Sequence, residues 1–116
     1  MKDAQLFAKE WISAWNSHDL NEILKYYSEE VEIITPMIKI ALGLDEGSLK
    51  GKAKVADYWG KALNTIPDLH FELLEVTQSI NSIALYYKSV LDKNSIQLMF
   101  FDADGLINKC IIHYTL

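Results

Sequence analysis

The side chain best suited to acid–base chemistry in this 116-residue chain is His113, one of three histidines. Histidine is the first choice for a general base, because its unperturbed pKa lies near neutrality. Strict alternation along a strand places His113 on the opposite face from Cys110 and Tyr114, and only a bulge would reverse this. Two interpretations therefore stay open: a catalytic base, or a histidine on the sheet face or at a dimer interface.

Other kinds of chemical site lack their sequence signals. The three histidines and the single cysteine are too dispersed for metal-ligand spacing, so we expect no metal. The chain has neither a glycine-rich phosphate loop nor a nucleophile elbow, so we expect no cofactor. Cys110 has no evident histidine partner and is interpreted as an inert apolar filler. Asp102 and Asp104 precede Gly105, where local hydrogen bonding in a hairpin turn explains them.

Gln97 is the most informative polar residue, because it interrupts an otherwise apolar stretch. A buried amide must find hydrogen-bond partners, which would be either tyrosine hydroxyls or a ligand. Gln97 and Met99 share one face of a strand, and so do Cys110 and Tyr114. These residues are therefore candidates for one wall of a binding site.

The composition indicates a soluble globular protein, with 50% hydrophobic residues, 23% charged residues and a net charge of −5. An acidic chain without a basic stretch is a poor match for nucleic acid. The apolar stretches are too short to span a bilayer, and the N-terminus lacks the apolar core of a signal peptide. Together with the single cysteine, these features predict a cytoplasmic protein that binds neither nucleic acid nor membrane.

Hydrophobic periodicity predicts an α+β protein that forms a single domain over residues 1–116. Helical spacing predicts a helix over 3–16, a second short helix that Asp19 caps and whose face includes Tyr27, and a third helix over 52–64. Strands are predicted over 31–35, 69–78, 82–91, 95–101 and 106–115, with an irregular loop over 37–51. Short turns rich in Asn, Asp and Gly make the last four strands an antiparallel meander. Helices on the concave face of such a sheet would enclose a pocket lined with aromatics.

Several short motifs occur in order along the chain: WNSHDL (15–20), YSEEV (27–31), TP (35–36), LKGK (49–52), YW (58–59), PDLHFE (67–72), FDADG (101–105) and HY (113–114). With these motifs the chain resembles the nuclear-transport-factor-2-like superfamily, and within it the SnoaL-like group, over essentially its whole length. The resemblance implies a cone-shaped α+β fold, in which helices pack on a strongly curved, mostly antiparallel sheet around a deep cavity. It also implies a homodimer. It implies no single chemistry, because members include isomerases, cyclases, hydrolases, dehydratases and non-catalytic adapters.

The ketosteroid isomerases are relatives whose catalytic positions can be compared with this chain. The resemblance places their Asp base at Thr35, their oxyanion tyrosine at Trp11 and their protonated acid at Gln97. A threonine hydroxyl cannot abstract a carbon-bound proton near neutral pH without an activator, so all three roles are lost. Relatives that hydrolyse epoxides hold water with Asp and Arg, and this chain contains no arginine.

The resemblance also implies a set of cavity-lining residues: Trp11, Tyr27, Thr35, Trp59, Gln97, Met99, Cys110 and Tyr114. Trp15 joins this set, because it shares a helix face with Trp11 at spacing i, i+4. The alternative is that the aromatic side chains fill the core and leave no cavity.

Three functions therefore stay open. The first is binding of a small apolar or carbonyl-containing metabolite with isomerase, cyclase or hydratase-type acid–base activity, for which the candidate catalytic residues are His113, Tyr27, Gln97 and Tyr114. The second is non-catalytic ligand binding, which the lack of an obvious base favours. The third is an adapter whose sheet face binds another protein. Apolar groups on both sheet faces, among them Tyr86 and Ile111, predict a homodimer through the sheet face.

Overall fold

The computed structural model describes residues 3–116. Its helices are α1 (Ala4–Ser17), α2 (Leu20–Leu24), α3 (Pro36–Leu42) and α4 (Lys52–Thr65). Its strands are β1 (Tyr27–Ile34), β2 (Ser48–Lys50), β3 (Glu72–Gln78), β4 (Ser82–Lys88), β5 (Asn94–Phe101) and β6 (Ile107–Tyr114). The predicted α+β class is confirmed.

The strands form one curled sheet with the order β2-β1-β6-β5-β4-β3. Strands β3 to β6 pair consecutively and antiparallel, which confirms the predicted meander. Strand β1 runs parallel to β6, and β2 pairs antiparallel with β1. The pairing register shifts between Leu73 and Glu75 and between Phe100 and Phe101. Such bulges bend and twist a sheet locally, so the sheet curves around the helices.

The first two helices begin at aspartate caps. The Asp3 carboxylate accepts the backbone N–H of Leu6 at 3.1 Å and starts α1. The Asp19 carboxylate accepts the backbone N–H groups of Asn21 and Glu22 and starts α2. Capping of this kind satisfies donors that have no partner within the helix. Helix α2 therefore starts after Asp19, as predicted, and α1 starts at Ala4, one residue later than predicted.

The segment predicted to be an irregular loop over 37–51 contains α3 and β2, so that prediction is wrong. The Thr35 hydroxyl accepts the N–H of Met37 at 3.2 Å, and Pro36 occupies the first helical position. Gly43 ends the helix in the left-handed conformation, with φ of 70°. These start and stop signals are legible in the sequence, but the helix is too short for its periodicity to stand out.

Tyr27 does not lie on the second helix as predicted, because α2 ends at Leu24 and Tyr27 opens β1. Strand β1 therefore starts at Tyr27 rather than at residue 31. Its pairing with β6 is irregular between Tyr27 and Glu32. Polar residues fill that irregular stretch and hide the alternation that marks a strand.

The core lies between the concave sheet face and helices α1 and α4. On β4, Ile83, Leu85 and Tyr87 alternate toward the helices and are buried. Within residues 3–116, no helix is long and apolar enough to cross a membrane.

Candidate functional site

A pocket of about 380 Å³ lies between the concave face of the sheet and helices α1, α3 and α4. Pockets for small molecules span about 300–1,000 Å³, so this one has room for a small organic ligand. All three tryptophans of the chain line it. Its principal lining side chains come from four parts of the fold: Trp11 and Trp15 of α1, Met37, Ile40 and Leu42 of α3, Tyr58 and Trp59 of α4, and Tyr87, Gln97, Ile112 and Tyr114 of the sheet.

Aromatic rings form a continuous apolar wall on one side of the pocket. Trp15 meets Trp59 edge to face, with ring centroids 5.1 Å apart. Phe71 stacks on Trp11 at 5.9 Å and contacts Tyr87 at 4.9 Å. Rings that contact each other at these distances hold one another in place, so the wall is a preformed apolar surface.

A glutamine–tyrosine pair provides the polar floor of the pocket. Gln97 is only 2% exposed, and its Oε1 accepts a hydrogen bond from the Tyr87 hydroxyl at 2.9 Å. The amide nitrogen has two N–H donors, of which one serves Cys110 and one remains for a ligand. Burial raises the pKa of the Cys110 thiol to about 12, and a hydrogen bond with Gln97 offsets this only in part.

Three tyrosine hydroxyls of the pocket stay protonated at physiological pH. Burial, together with the nearby Tyr114, raises the pKa of Tyr58 to about 12. Burial also raises the pKa of Tyr87 well above its ordinary value. Burial raises the pKa of Tyr114, and a hydrogen bond with Thr35 offsets this rise only in part. These hydroxyls are therefore neutral hydrogen-bond donors and acceptors, not bases.

The described residues that line the pocket include no aspartate, glutamate or histidine. The one charged residue among them is Lys61, whose exposed ammonium pairs with Asp57 at 3.3 Å. No group of three or more His, Cys, Asp or Glu residues that could hold a metal occurs within 3–116. The lining can donate hydrogen bonds, but it contains no group that abstracts a proton from carbon near neutral pH.

The structure brings most of the predicted ligand-binding residues to one site. Those that line the pocket are Trp11, Trp15, Thr35, Trp59, Gln97 and Tyr114. Tyr27, Met99 and Cys110 do not line it and are buried in the core. Tyr27 instead contacts two residues of the aromatic wall. Its hydroxyl accepts a hydrogen bond from the Trp11 indole N–H at 2.9 Å. Its ring lies 4.8 Å from that of Trp59.

The structure does not bring His113 to the pocket. His113 is exposed on the outer face of the sheet, where it pairs in register with Ile96. The regular pairing of β5 with β6 at this point leaves the alternation intact, so the bulge that a catalytic His113 requires is absent from this part of the described sheet. As a correction to the candidate catalytic set, His113 has no geometric basis for a role in this pocket.

Several lining residues were not among the sequence-based candidates. Tyr87 alternates in phase with the buried Ile83 and Leu85, a signal that could have placed it on the concave face. Met37 and Ile40 belong to α3, whose capping signals the prediction of a loop overlooked. Leu91 lies in a turn, where no periodicity applies.

Comparison with known proteins gives matches over most of the chain. The SnoaL-like domain family matches residues 8–105. A SnoaL-like protein of unknown function from Burkholderia thailandensis is 39% identical, with a TM-score of 0.95 over 97% of this chain and 94% of that one. No match was found among curated proteins.

Two enzymes of known structure share the fold at low sequence identity. A steroid delta-isomerase from Pseudomonas aeruginosa is 17% identical, with a TM-score of 0.72 over 97% of this chain and 80% of that one. SalBIII, an epoxide hydrolase/cyclase-like enzyme of pyran ring formation in salinomycin, is also 17% identical, with a TM-score of 0.73 over 97% of this chain and 91% of that one. Likenesses at this level concern the fold alone.

Proposed function

Because this chain belongs to the SnoaL-like family, we propose that its pocket binds a small, largely apolar metabolite that carries a carbonyl group. The observation that carries this proposal is the Gln97 amide, which is 2% exposed on the floor of an otherwise aromatic pocket. Its NH2 group has two donors, and the Cys110 sulfur with which it hydrogen-bonds is only a weak acceptor. A ligand carbonyl oxygen would give this buried amide a stronger acceptor.

The pocket also favours this ligand class by what it lacks. Its described lining has no carboxylate that could pair with an amine. A cationic ligand would therefore lose its hydration without gaining a partner. A neutral ketone or aldehyde, in contrast, needs only donors and apolar surface, and the pocket offers both.

Ligand binding rather than proton abstraction is the function that we assign to the lining. Hydrogen bonds from Gln97 and a tyrosine hydroxyl would polarise a carbonyl, but isomerisation also requires a base within reach of the substrate. The described lining has no such base. Catalysis of the cyclase or hydratase type would have to draw its base from the substrate or from water.

The test replaces both polar groups of the floor, because Gln97→Leu alone would leave the Tyr87 hydroxyl free to take over the ligand carbonyl. The double variant Tyr87→Phe/Gln97→Leu should bind 2-decalone about tenfold more weakly than the unmodified chain, the equivalent of about 1.4 kcal/mol for one lost hydrogen bond. The three lining tryptophans report binding through their intrinsic fluorescence.

The matched control is Gln5→Leu, the same substitution on the exposed surface of α1. It should leave the affinity for 2-decalone unchanged. Equal affinity of the double variant and the unmodified chain would contradict the role of the floor. If the chain is an adapter, the unmodified protein should bind no cyclic ketone. If it is an enzyme, the double variant should lose more of its turnover than of its affinity for the ketone.

We also propose that a second copy of this chain covers the outer face of the sheet. That face presents Ile96, which is 44% exposed, together with the half-buried Leu98 and Ile111. Beside them, Glu32 of β1 lies opposite Lys109 of β6 in register. A two-fold axis brings the same patch of two subunits together. In that arrangement Glu32 of one subunit can face Lys109 of the other, and the reverse. A cytoplasmic location stays a prediction from the sequence.

A further inference from the structure

Three leucine and isoleucine side chains stand exposed around the mouth of the pocket. Ile40 is 76% exposed, Leu42 41% and Leu91 68%, and all three belong to the lining. Single exposed apolar residues are ordinary, but a cluster at the entrance of a binding pocket indicates an interaction site.

Leu91 occupies a backbone conformation that leucine disfavours. Its φ is 58°, in the left-handed region, within the turn between β4 and β5. Gly and Asn are the residues that adopt this conformation at low cost, and a β-carbon makes it unfavourable for leucine. The turn is closed by backbone bonds from Ser89 to Lys93 at 2.8 Å and from Lys93 to Val90 at 3.1 Å. Neither core packing nor turn geometry therefore accounts for a leucine here.

Helix α3 holds the other two side chains at the mouth. Ile38 is fully buried and anchors this short helix to the core. With the helix fixed in this way, Ile40 and Leu42 border the same opening as Leu91. The apolar surface of the pocket thus continues outward between α3 and the turn.

We propose that Ile40, Leu42 and Leu91 form an outer apolar subsite for an elongated ligand, whose carbonyl end lies at Gln97 and whose alkyl chain passes between α3 and the turn. This inference rests on the proposed function of the pocket. The three side chains around this opening are apolar, and the nearby Lys61–Asp57 ion pair is exposed to solvent, where such pairs contribute little free energy. An uncharged chain is therefore the part of the ligand that suits the mouth.

The experiment compares two ketones that differ only in chain length, 4-methylcyclohexanone and 4-hexylcyclohexanone. Each methylene buried from water strengthens binding about fourfold at most. The unmodified chain should therefore bind the hexyl ketone at least about tenfold more tightly than the methyl ketone, even if the subsite buries only part of the five added methylenes. Tryptophan fluorescence measures both affinities.

Leu91→Asn removes the apolar side chain and keeps the turn, because asparagine tolerates a positive φ. This variant should bind the hexyl ketone about three- to tenfold more weakly and bind the methyl ketone unchanged. The matched control is Ile80→Asn, in the turn between β3 and β4, where Ile80 is 85% exposed and does not line the pocket. It should change neither affinity.

The outcomes separate this inference from the proposed function. If the unmodified chain binds both ketones equally well, or if Leu91→Asn weakens both equally, the outer subsite is overturned while the pocket stays a binding site. If the unmodified chain binds neither these ketones nor 2-decalone, the proposed function fails, and the outer subsite fails with it.

Discussion

At the scale of single residues, Tyr27 shows how a candidate catalytic side chain can instead be a support. Its hydroxyl accepts the Trp11 indole N–H at 2.9 Å, and the residue is 1% exposed. Burial raises its pKa well above the ordinary value, so it does not ionise near neutral pH. Tyr27 therefore fixes the orientation of Trp11, which lines the pocket, without touching the space where a ligand would lie.

Tyr27→Phe should lower the free energy of unfolding by about 1–3 kcal/mol, because it leaves the Trp11 N–H buried without an acceptor. The matched control is Tyr26→Phe at the neighbouring, half-buried position. It should lower the free energy of unfolding by less than Tyr27→Phe does. Urea unfolding followed by tryptophan fluorescence measures both changes. Equal midpoints for Tyr27→Phe and the unmodified chain would show that the hydrogen bond does not stabilise the fold.

At the scale of elements, the length of each segment decided what the sequence could reveal. Helices α1 and α4 and strands β3 to β6 each repeat their hydrophobic pattern often enough to be recognised, and they were predicted. Helix α3 and strand β2 span seven and three residues, too few for a periodic pattern. Their position depends on Thr35, Pro36 and two glycines, and on contacts with distant strands. The α3 wall of the pocket was missed for that reason.

The two glycines that connect α3 to β2 are expected to differ in cost when replaced. Gly43 and Gly47 both have positive φ, 70° and 62°. A β-carbon at Gly43 would meet no atom within 4 Å, whereas one at Gly47 would lie 3.0 Å from the Thr35 carbonyl oxygen. Gly43→Ala should therefore lower the free energy of unfolding by about 1–2 kcal/mol, because alanine disfavours this backbone conformation. Gly47→Ala adds a clash with the backbone that caps α3.

Urea midpoints of the two alanine variants compare these costs directly. Gly47→Ala should have the lower midpoint, and it should also weaken binding of 2-decalone, since α3 borders the pocket. A midpoint for Gly43→Ala equal to or below that of Gly47→Ala would show that the close approach to Thr35 is relieved by a small backbone shift.

At the scale of the whole molecule, the depth of a residue along its strand determines whether it reaches the pocket. Cys110 and Tyr114 share one face of β6, as their spacing predicts, but only Tyr114 lines the pocket. Gln97 reaches the pocket from β5, while Met99 on the same face is fully buried. Alternation identifies the concave face. Which end of that face stays open is determined by the curvature of the sheet and by the position of the helices on it. Both depend on pairing between residues that are distant in the sequence.

The two faces of the sheet have separate predicted roles, and a substitution on the outer face tests this. Ile96→Lys places a charge at the centre of the proposed dimer interface and should convert a dimer to monomers. Ile80→Lys, at an exposed position in a turn, is the matched control and should stay dimeric. Native mass spectrometry measures both, and the Ile96→Lys monomer should keep its affinity for 2-decalone, because the pocket lies on the concave face. An unmodified chain that is monomeric at micromolar concentration would refute the dimer, and loss of ketone binding in the Ile96→Lys monomer would show that the second subunit completes the pocket.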